Sequence, residues 1–428
     1  MKIYKNSEIE IFLEKFVSRR TVVSKEVETT VAEILDNVRQ NGDNAIYEYS
    51  KKFDKVDLHK FEIQIPHAEL EQAHKKLDSD LLKVLRESRN NIKKFHEKGM
   101  PQSWVSREDD GIVLGQRLQP LERVGVYVPG GRAAYPSSLL MGVVPAQVAG
   151  VKEIIITTPA NAEGKVNQTI LAAACELGIS KVYRIGGAQA VAAMAYGTES
   201  IPQVDKIVGP GNIYVATAKK QLYGQCGIDM VAGPSEVVII ADKMAKAEYA
   251  AADLLAQAEH DPLASSILIT ESEKTAINVQ RHVIEQSQIL EREAIINQSI
   301  EHYGAIILVK SLQECVEFSN YLSPEHLGLH VENPWEILDS ITNAGAIFLG
   351  SYSPEAVGDY WAGPNHVLPT NGSARFFSPL RTEDFLKTSS IISYSKQALQ
   401  KHGQKIITFA NSEELTAHAN AIKLRMSE

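Results

Sequence analysis

Between Ser24 and Val38 the apolar residues Val27, Val31, Ile34, Leu35 and Val38 recur at helical spacing on one face, within a first hundred residues that are otherwise polar. The pattern predicts an amphipathic helix in a helical scaffold. From Arg123 the texture changes. VGVYV, EIIITT, KVYRI and KIVGP are short β-rich runs separated by alanine-rich helical stretches such as 170–177, the alternation expected of strands joined by helices in a parallel sheet. A second stretch of this kind opens at Val237 (VVIIAD) and runs through a helix over 245–259, SILIT, a long helix, GAIILV and GAIFLG. Two α/β units therefore follow one another, with a boundary near Gly233-Pro234. The segment 350–379 is rich in glycine, proline and aromatic residues and poor in periodic apolar positions, which predicts a long ordered loop. A short apolar run at 405–409 and a polar helix over 412–426 close the chain.

Length and charge narrow the class. A chain of 428 residues exceeds one ordinary core of roughly 100 to 200 residues, so at least two domains are expected. The hydrophobic share of 44% and charged share of 23% are those of a folded soluble protein. A net charge of −9 without a basic stripe argues against nucleic-acid binding, which needs clustered Lys and Arg. No apolar run approaches the ~20 residues of a membrane span, and the opening MKIYKNSEIE has no apolar stretch behind its lysines, so a cytoplasmic protein is expected. Cys175, Cys226 and Cys315 are far apart and lack CxxC spacing, which fits a reducing compartment and three small buried hydrophobes.

The candidate chemistry is dispersed. In AAADLLAQAEHDP, Gln257 and His260 are three residues apart at the end of a helix closed by Asp261-Pro262, so they share a face and can present two ligands to zinc or a similar ion. Glu325-His326 in NYLSPEHLGLH is a carboxylate beside an imidazole; adjacent side chains diverge, so they would act on different atoms of a substrate. The loop SPEAVGDYWAGPNHVLPT offers Glu355, Asp359 and His366, any of which can reach a metal. Glu413 and His418, five apart on the terminal helix, read by themselves as surface residues. VPGGRAAYPSS, RIGGAQAVAAMAYG, VGPGNIYV and VAGPSEVV are glycine-rich turns, several placed after predicted strands where open α/β sheets bind ligands, yet none spells GxGxxG.

Taken in order, RVGVYVPGGRAAYPSSLLMGVVPAQVAGV, RIGGAQAVAAMAYGT, VDKIVGPGN, IDMVAGPSEVVIIAD, LLAQAEHDP, YLSPEHL, GDYWAGPNHVLPT and DFLKTSS closely resemble the histidinol dehydrogenases, from about Leu121 to the end. The first hundred residues match only loosely. The resemblance implies NAD-dependent, zinc-requiring oxidation of L-histidinol through its aldehyde to L-histidine. It implies Gln257, His260, Asp359 and His418 as zinc ligands, one ion per subunit, with His418 reaching the neighbouring subunit's site. Glu325 and His326 would be the acid-base pair. Tyr127, Gln189 and Asn212 fall at NAD contacts, and Ser235, Gln257, His260, His326, Asp359, Glu413 and His418 at substrate contacts, with His366 nearby. The implied fold is α/β: two incomplete Rossmann-like domains, with small helical terminal segments interlocking a homodimer. The segments would be an N-terminal dimerisation arm (1–24), a first domain (25–126 with 235–380) carrying zinc and acid-base residues, a second (127–234) contacting NAD, and a tail (381–428) completing the partner's site. Two positions depart from the family pattern: Glu414 stands where glycine is usual, and Arg132 where a small residue is usual.

In this scheme zinc holds the substrate's imidazole and amine, His326 takes the alcohol proton, and Glu325 activates the water that the aldehyde step needs. A cysteine thiohemiacetal is the covalent alternative, disfavoured because none of the three cysteines lies in these motifs. The rival classes are a zinc hydrolase, which needs no nicotinamide, and a non-enzymatic binding module, which would lack some of these groups.

Overall fold

The computed structural model describes residues 1–18, 24–130 and 135–427; Arg132 and residues 19–23 of the expected arm lie outside them. Strands are β1 (Lys2–Lys5), β2 (Trp104–Arg107), β3 (Val113–Pro120), β4 (Arg123–Tyr127), β5 (Glu153–Thr157), β6 (Val182–Tyr183), β7 (Lys206–Val208) and β8 (Gly227–Ile228). They continue as β9 (Glu236–Ala241), β10 (Ser265–Thr270), β11 (Gly304–Leu308), β12 (His326–His330), β13 (Ala346–Leu349) and β14 (Leu386–Ser393).

These strands form a five-stranded parallel sheet, β6-β5-β4-β7-β8, and a six-stranded parallel sheet, β1-β11-β10-β9-β12-β13. Leaving out β1, both have the same doubly wound order, in which the fourth strand returns beside the first. The strands are apolar on both faces, as helix-covered parallel sheets require: β9 and β10 are buried throughout. A three-stranded antiparallel sheet, β14-β3-β2, brings 386–393 beside 113–120.

The helix predicted near 24–38 runs Lys25–Asn41, capped by the Ser24 side chain on Val27 N–H (3.3 Å), and buries Val31, Ile34, Leu35 and Val38. Those residues pack with Tyr127, Ile155 and Tyr183 of the five-stranded sheet. Leu70, Ala73, Leu85 and Ile92, from the helices His67–Lys76 and Ser79–Lys98, pack with Val124 and Val126 of the same sheet. Residues of 25–98, grouped in the expectation with 235–380, thus pack on the five-stranded sheet: periodicity marks which face is buried, and only tertiary packing selects what it is buried against. Of the arm expected at 1–24, the described residues pack within their own chain. β1 adds an edge strand to the chain's own six-stranded sheet, and helix Ser7–Ser18 places Ile9, Phe12 and Phe16 in that sheet's core.

At the other terminus, helices Lys396–Ser412 and Thr416–Met426 form a hairpin where a single helix over 412–426 was expected. The break is a Schellman turn. Leu415 N–H reaches Ala410 C=O (2.9 Å) and Glu414 N–H reaches Asn411 C=O (3.0 Å), which places Glu414 at φ +60°. This left-handed position explains why glycine would suit the site better than the glutamate found there. Glu414→Gly is expected to stabilise the protein by about 1 kcal/mol, read as a higher thermal midpoint; an unchanged or lower midpoint would show that the turn carries no such cost.

Candidate active site

Glu325 and His326 enter the site at the amino end of β12, beside the amino end of β9. Both lean on one residue. Glu236 N–H donates to Glu325 Oε2 (2.9 Å), and Glu236 C=O lies 3.3 Å from His326 Nδ1. The Ser235 side chain stands beside the Glu325 carboxylate and favours its ionised form. The turn leading into β13 is pressed against this strand end: Gly345 N–H donates to Pro324 C=O (2.9 Å), and a Cβ at Gly345 would stand 2.5 Å from Glu325 O.

The helix Ala247–Ala258 runs back to the same edge and ends in Gln257, with His260 in the turn that follows. Asp261 closes that turn by accepting Leu263 N–H (2.8 Å). With the Gln257 amide turned so that its nitrogen faces acceptors, that nitrogen lies 3.3 Å from Glu355 Oε2, 3.2 Å from Glu236 O and 3.0 Å from His326 Nδ1. His326 Nδ1 thus has a partner in either neutral tautomer, donating to Glu236 O or accepting from Gln257. Its Nε2 is buried without a hydrogen-bond partner and lies 3.9 Å from Glu355 Oε1.

The loop 350–379 supplies the third wall. Glu355 and Asp359 are one helical turn apart at the ends of 355–359, and their carboxylates and the His260 ring place ligand atoms within 4.8 Å of one another. His366 Nδ1 is 3.8 Å from Asp359 Oδ1, and its Nε2 is 3.4 Å from Ser138 Oγ.

Burial dominates the electrostatics. It pushes the Glu325 carboxyl well above the usual carboxylate range, with further pressure from Glu236 and Asp359, and does the same to Glu355, beside Asp359, Glu325 and Asp253. It raises Asp359 to about 7, lowers His326 to about 3 and His366 to about 4, and depresses His260. Several carboxyls and neutral imidazoles thus share a nearly dry space with no lysine or arginine among the charges acting on them, save Arg292 near His260. One nitrogen and two oxygen donors beside the Gln257 amide suit a zinc-like divalent ion, whose charge would offset the desolvated carboxylates.

The structure joins Gln257, His260, Glu325, His326, Asp359 and His366, with Ser235 alongside. His418 and Glu413 are exposed on the terminal hairpin and stand outside this cluster within one chain. Glu355 was only one of three loop candidates in sequence; its spacing of four from Asp359 is the signal that pairs them. Glu236 was missed altogether. Its role runs through its own peptide group and a carboxylate that accepts Asn371 N–H, and no local pattern marks that.

The residues expected to contact NAD lie on the other sheet. Tyr127 ends β4, nearly buried, and its hydroxyl accepts Gly187 N–H (3.1 Å); Gln189 is buried in the first turn of helix Gly187–Tyr196. Asn212 is exposed and caps helix Ile213–Leu222, its Oδ1 accepting from Tyr214 and Val215 N–H (both 3.1 Å). Between β4 and β7, at their carboxyl ends, lies the crevice where doubly wound sheets bind nucleotides. The helix Pro136–Ala149 leaves this edge and touches the loop of the other unit, through Ser138 to His366 and through Asn365 Nδ2 to Met141 O (2.8 Å). The carboxyl edge of one sheet therefore faces the amino edge of the other, across the carboxylate and imidazole cluster.

Two doubly wound parallel sheets, the switch point of one beside a buried cluster of carboxylates and imidazoles, define a two-unit α/β protein of the kind that binds ligands at its sheet edges. The family model for histidinol dehydrogenase matches residues 17–426. Histidinol dehydrogenases from Lactococcus lactis (51% identical, 98% of this chain and 97% of that one) and Listeria monocytogenes (49%, 100% of both) are similar over their whole length. The crystal structure of histidinol dehydrogenase from Elizabethkingia anophelis superposes with a TM-score of 0.94 at 37% identity, covering 100% of this chain and 98% of that one. The chain belongs to the histidinol dehydrogenase family, the NAD-dependent oxidoreductases that complete histidine biosynthesis. An acetylating aldehyde dehydrogenase from Geobacillus thermoglucosidasius (TM-score 0.50, 11% identity, 89% and 96% coverage) shares the fold alone. No described helix is long and apolar enough to cross a membrane.

Metal affinity should carry the titration of the cluster. Asp359, raised from 3.8 to about 7, is mostly protonated at pH 6 and ionised at pH 8, so a cation must displace its proton below about pH 7. The thermal shift given to metal-stripped protein by Zn2+ is expected to grow between pH 6 and 8. A shift that is flat across that range would contradict the assignment of Asp359 to the ion.

Proposed function

We propose that this chain oxidises L-histidinol through L-histidinaldehyde to L-histidine, with Gln257, His260, Asp359 and His418 of the partner subunit holding zinc. Tyr127, Gln189 and Asn212 contact NAD; Ser235 and Glu413 contact substrate, as do the zinc-binding side chains and His326. The observation that carries this reading is the meeting of a nucleotide-type strand crevice with a buried cluster of carboxylates and neutral imidazoles. When bound, zinc would supply a Lewis acid for the substrate at these side chains, and two molecules of NAD in turn would each accept one hydride.

His326 is unprotonated at working pH because burial holds it down to about 3. With its proton on Nδ1 toward Glu236 C=O, Nε2 is free to take the hydroxyl proton as the first hydride leaves. The aldehyde must then add water. Glu325, anchored by Glu236 N–H and made a stronger base by the burial that raises its carboxyl, removes a proton from that water in its ionised form, and His326 collects the second hydroxyl proton as the second hydride departs. The balance is one alcohol, one water and two NAD giving one carboxylate, two NADH and three protons.

Exposed Val105, Ile392, Phe409 and Leu424, on the antiparallel sheet and the terminal hairpin, support a homodimer in which that hairpin reaches the neighbouring site. A cytoplasmic location accords with the biosynthetic role.

Exhausting a known amount of L-histidinol with zinc-loaded protein and excess NAD is expected to yield two equivalents of NADH; one would mean arrest at the aldehyde, and none a hydrolase or a binding module. Glu325→Gln and His326→Asn should each lower kcat by about 10²- to 10⁴-fold, and near-full rate in either would remove that role. Mixing His418→Ala with His326→Asn subunits should regenerate activity in a fraction of dimers; no recovery once subunit exchange is verified would place His418 in its own chain's site.

A further inference from the structure

Lys219 and Asp229 form the most deeply buried ion pair among the described residues, with side chains 2% and 1% exposed. The pair lies outside the cluster just described. Lys219 is two turns into helix Ile213–Leu222, and Asp229 follows β8. Their hydrogen bonds converge on one residue, Gly209, just past β7. Lys219 Nζ donates to Gly209 C=O (3.0 Å), Gly209 N–H donates to Asp229 Oδ2 (2.8 Å), and Met230 N–H adds to Asp229 Oδ1 (2.6 Å). Both polar backbone atoms of Gly209 are thus committed to the pair.

Gly209 is where the chain can least afford to shift. Its φ is +115°, and a Cβ there would stand 2.2 Å from Tyr127 O, so the turn is pressed against the end of β4. Three residues on, Asn212 caps the same helix that carries Lys219. The turn Gly209–Asn212 is therefore pinned at one end by a cap and at the other by the ion pair. Burying two charges is costly, and an apolar pair of similar volume would commonly stabilise a core as well or better. Holding this turn is what the charged pair does that an apolar one would not.

We infer that Lys219 and Asp229 are positioning residues for NAD: they fix the Gly209–Asn212 turn so that Asn212 and the neighbouring backbone N–H groups meet the dinucleotide. This rests on the cofactor placement proposed above. Neither side chain touches the cofactor. Sequence hides the pair because Lys219 and Lys220 are neighbours in one helix, and only packing shows that Lys220 is the exposed one, paired with Glu28 (3.1 Å).

The test is steady-state kinetics on zinc-loaded enzyme carrying Lys219→Met with Asp229→Leu, which keeps the volume and strands no charge. The expected result is at least a tenfold rise in KM for NAD, with KM for histidinol, kcat at saturating NAD and zinc content within about twofold of the parent. Should the double variant not fold, Asp229→Asn is expected to raise KM for NAD at least threefold and leave KM for histidinol alone. Asn212→Ala is measured in parallel. If it raises KM for NAD and the pair variants do not, the positioning role is wrong while the cofactor placement stands. If none of the variants moves KM for NAD, the placement itself fails. Equal changes in both KM values would make the pair a general stabiliser and overturn the inference.

Discussion

Glu325 and His326 are neighbours in the chain, and neighbours at a strand end project apart; both are held in one cluster because each is tied to the backbone of Glu236, one to its N–H and the other to its C=O. That contact exists only because β12 lies parallel beside β9, with His326 opposite Val237. The pairing also sets the distance to Gln257, whose helix returns from β9 to the same edge. A one-residue slip of β12 along β9 would turn its side chains to the other face and separate Glu325 and His326 from their anchors. The buried β9–β12 register is accordingly the constraint from which the site geometry follows.

The same burial that fixes the register creates the chemistry. At the strand ends, carboxyls and imidazoles are removed from water without cationic side chains to match the acids, so the acids rise and the imidazoles fall toward their neutral forms. A site in this state favours a divalent cation, and it keeps its imidazoles unprotonated. Both properties follow from desolvation rather than from unusual residues.

The two sheets divide the labour by presenting opposite edges to one space. The five-stranded sheet offers its carboxyl edge, where strand order reverses between β4 and β7. The six-stranded sheet has the same reversal between β9 and β12 but turns its amino edge inward, so its site lies opposite the end where open α/β sheets usually bind ligands. Helix Pro136–Ala149 and the loop 350–379 close the gap, with His366 near Ser138 and Asn365 on Met141 O. An ion and a dinucleotide held at these two edges would meet without either sheet carrying both.

The sequence by itself determined the α/β class, eight of the eleven strands of the two parallel sheets (all but β1, β8 and β12), the long loop, and most of the residues that the fold gathers into the buried cluster. These signals are local: strand and helix periods differ, and the motifs are contiguous. Glu414 was also visible as a departure, though its meaning needed the φ of +60° that the Schellman turn imposes. Tertiary structure alone decided the rest. It sent the helices of 25–98 to the five-stranded sheet, and β1 to the edge of the six-stranded one, because an apolar stripe records that it will be buried and not against what. It also brought Glu355 to Gln257, Glu236 to Glu325 and Lys219 to Gly209. Those contacts join residues from 10 to 98 positions apart, where no periodicity reaches and only the packing of strands and helices sets the distance.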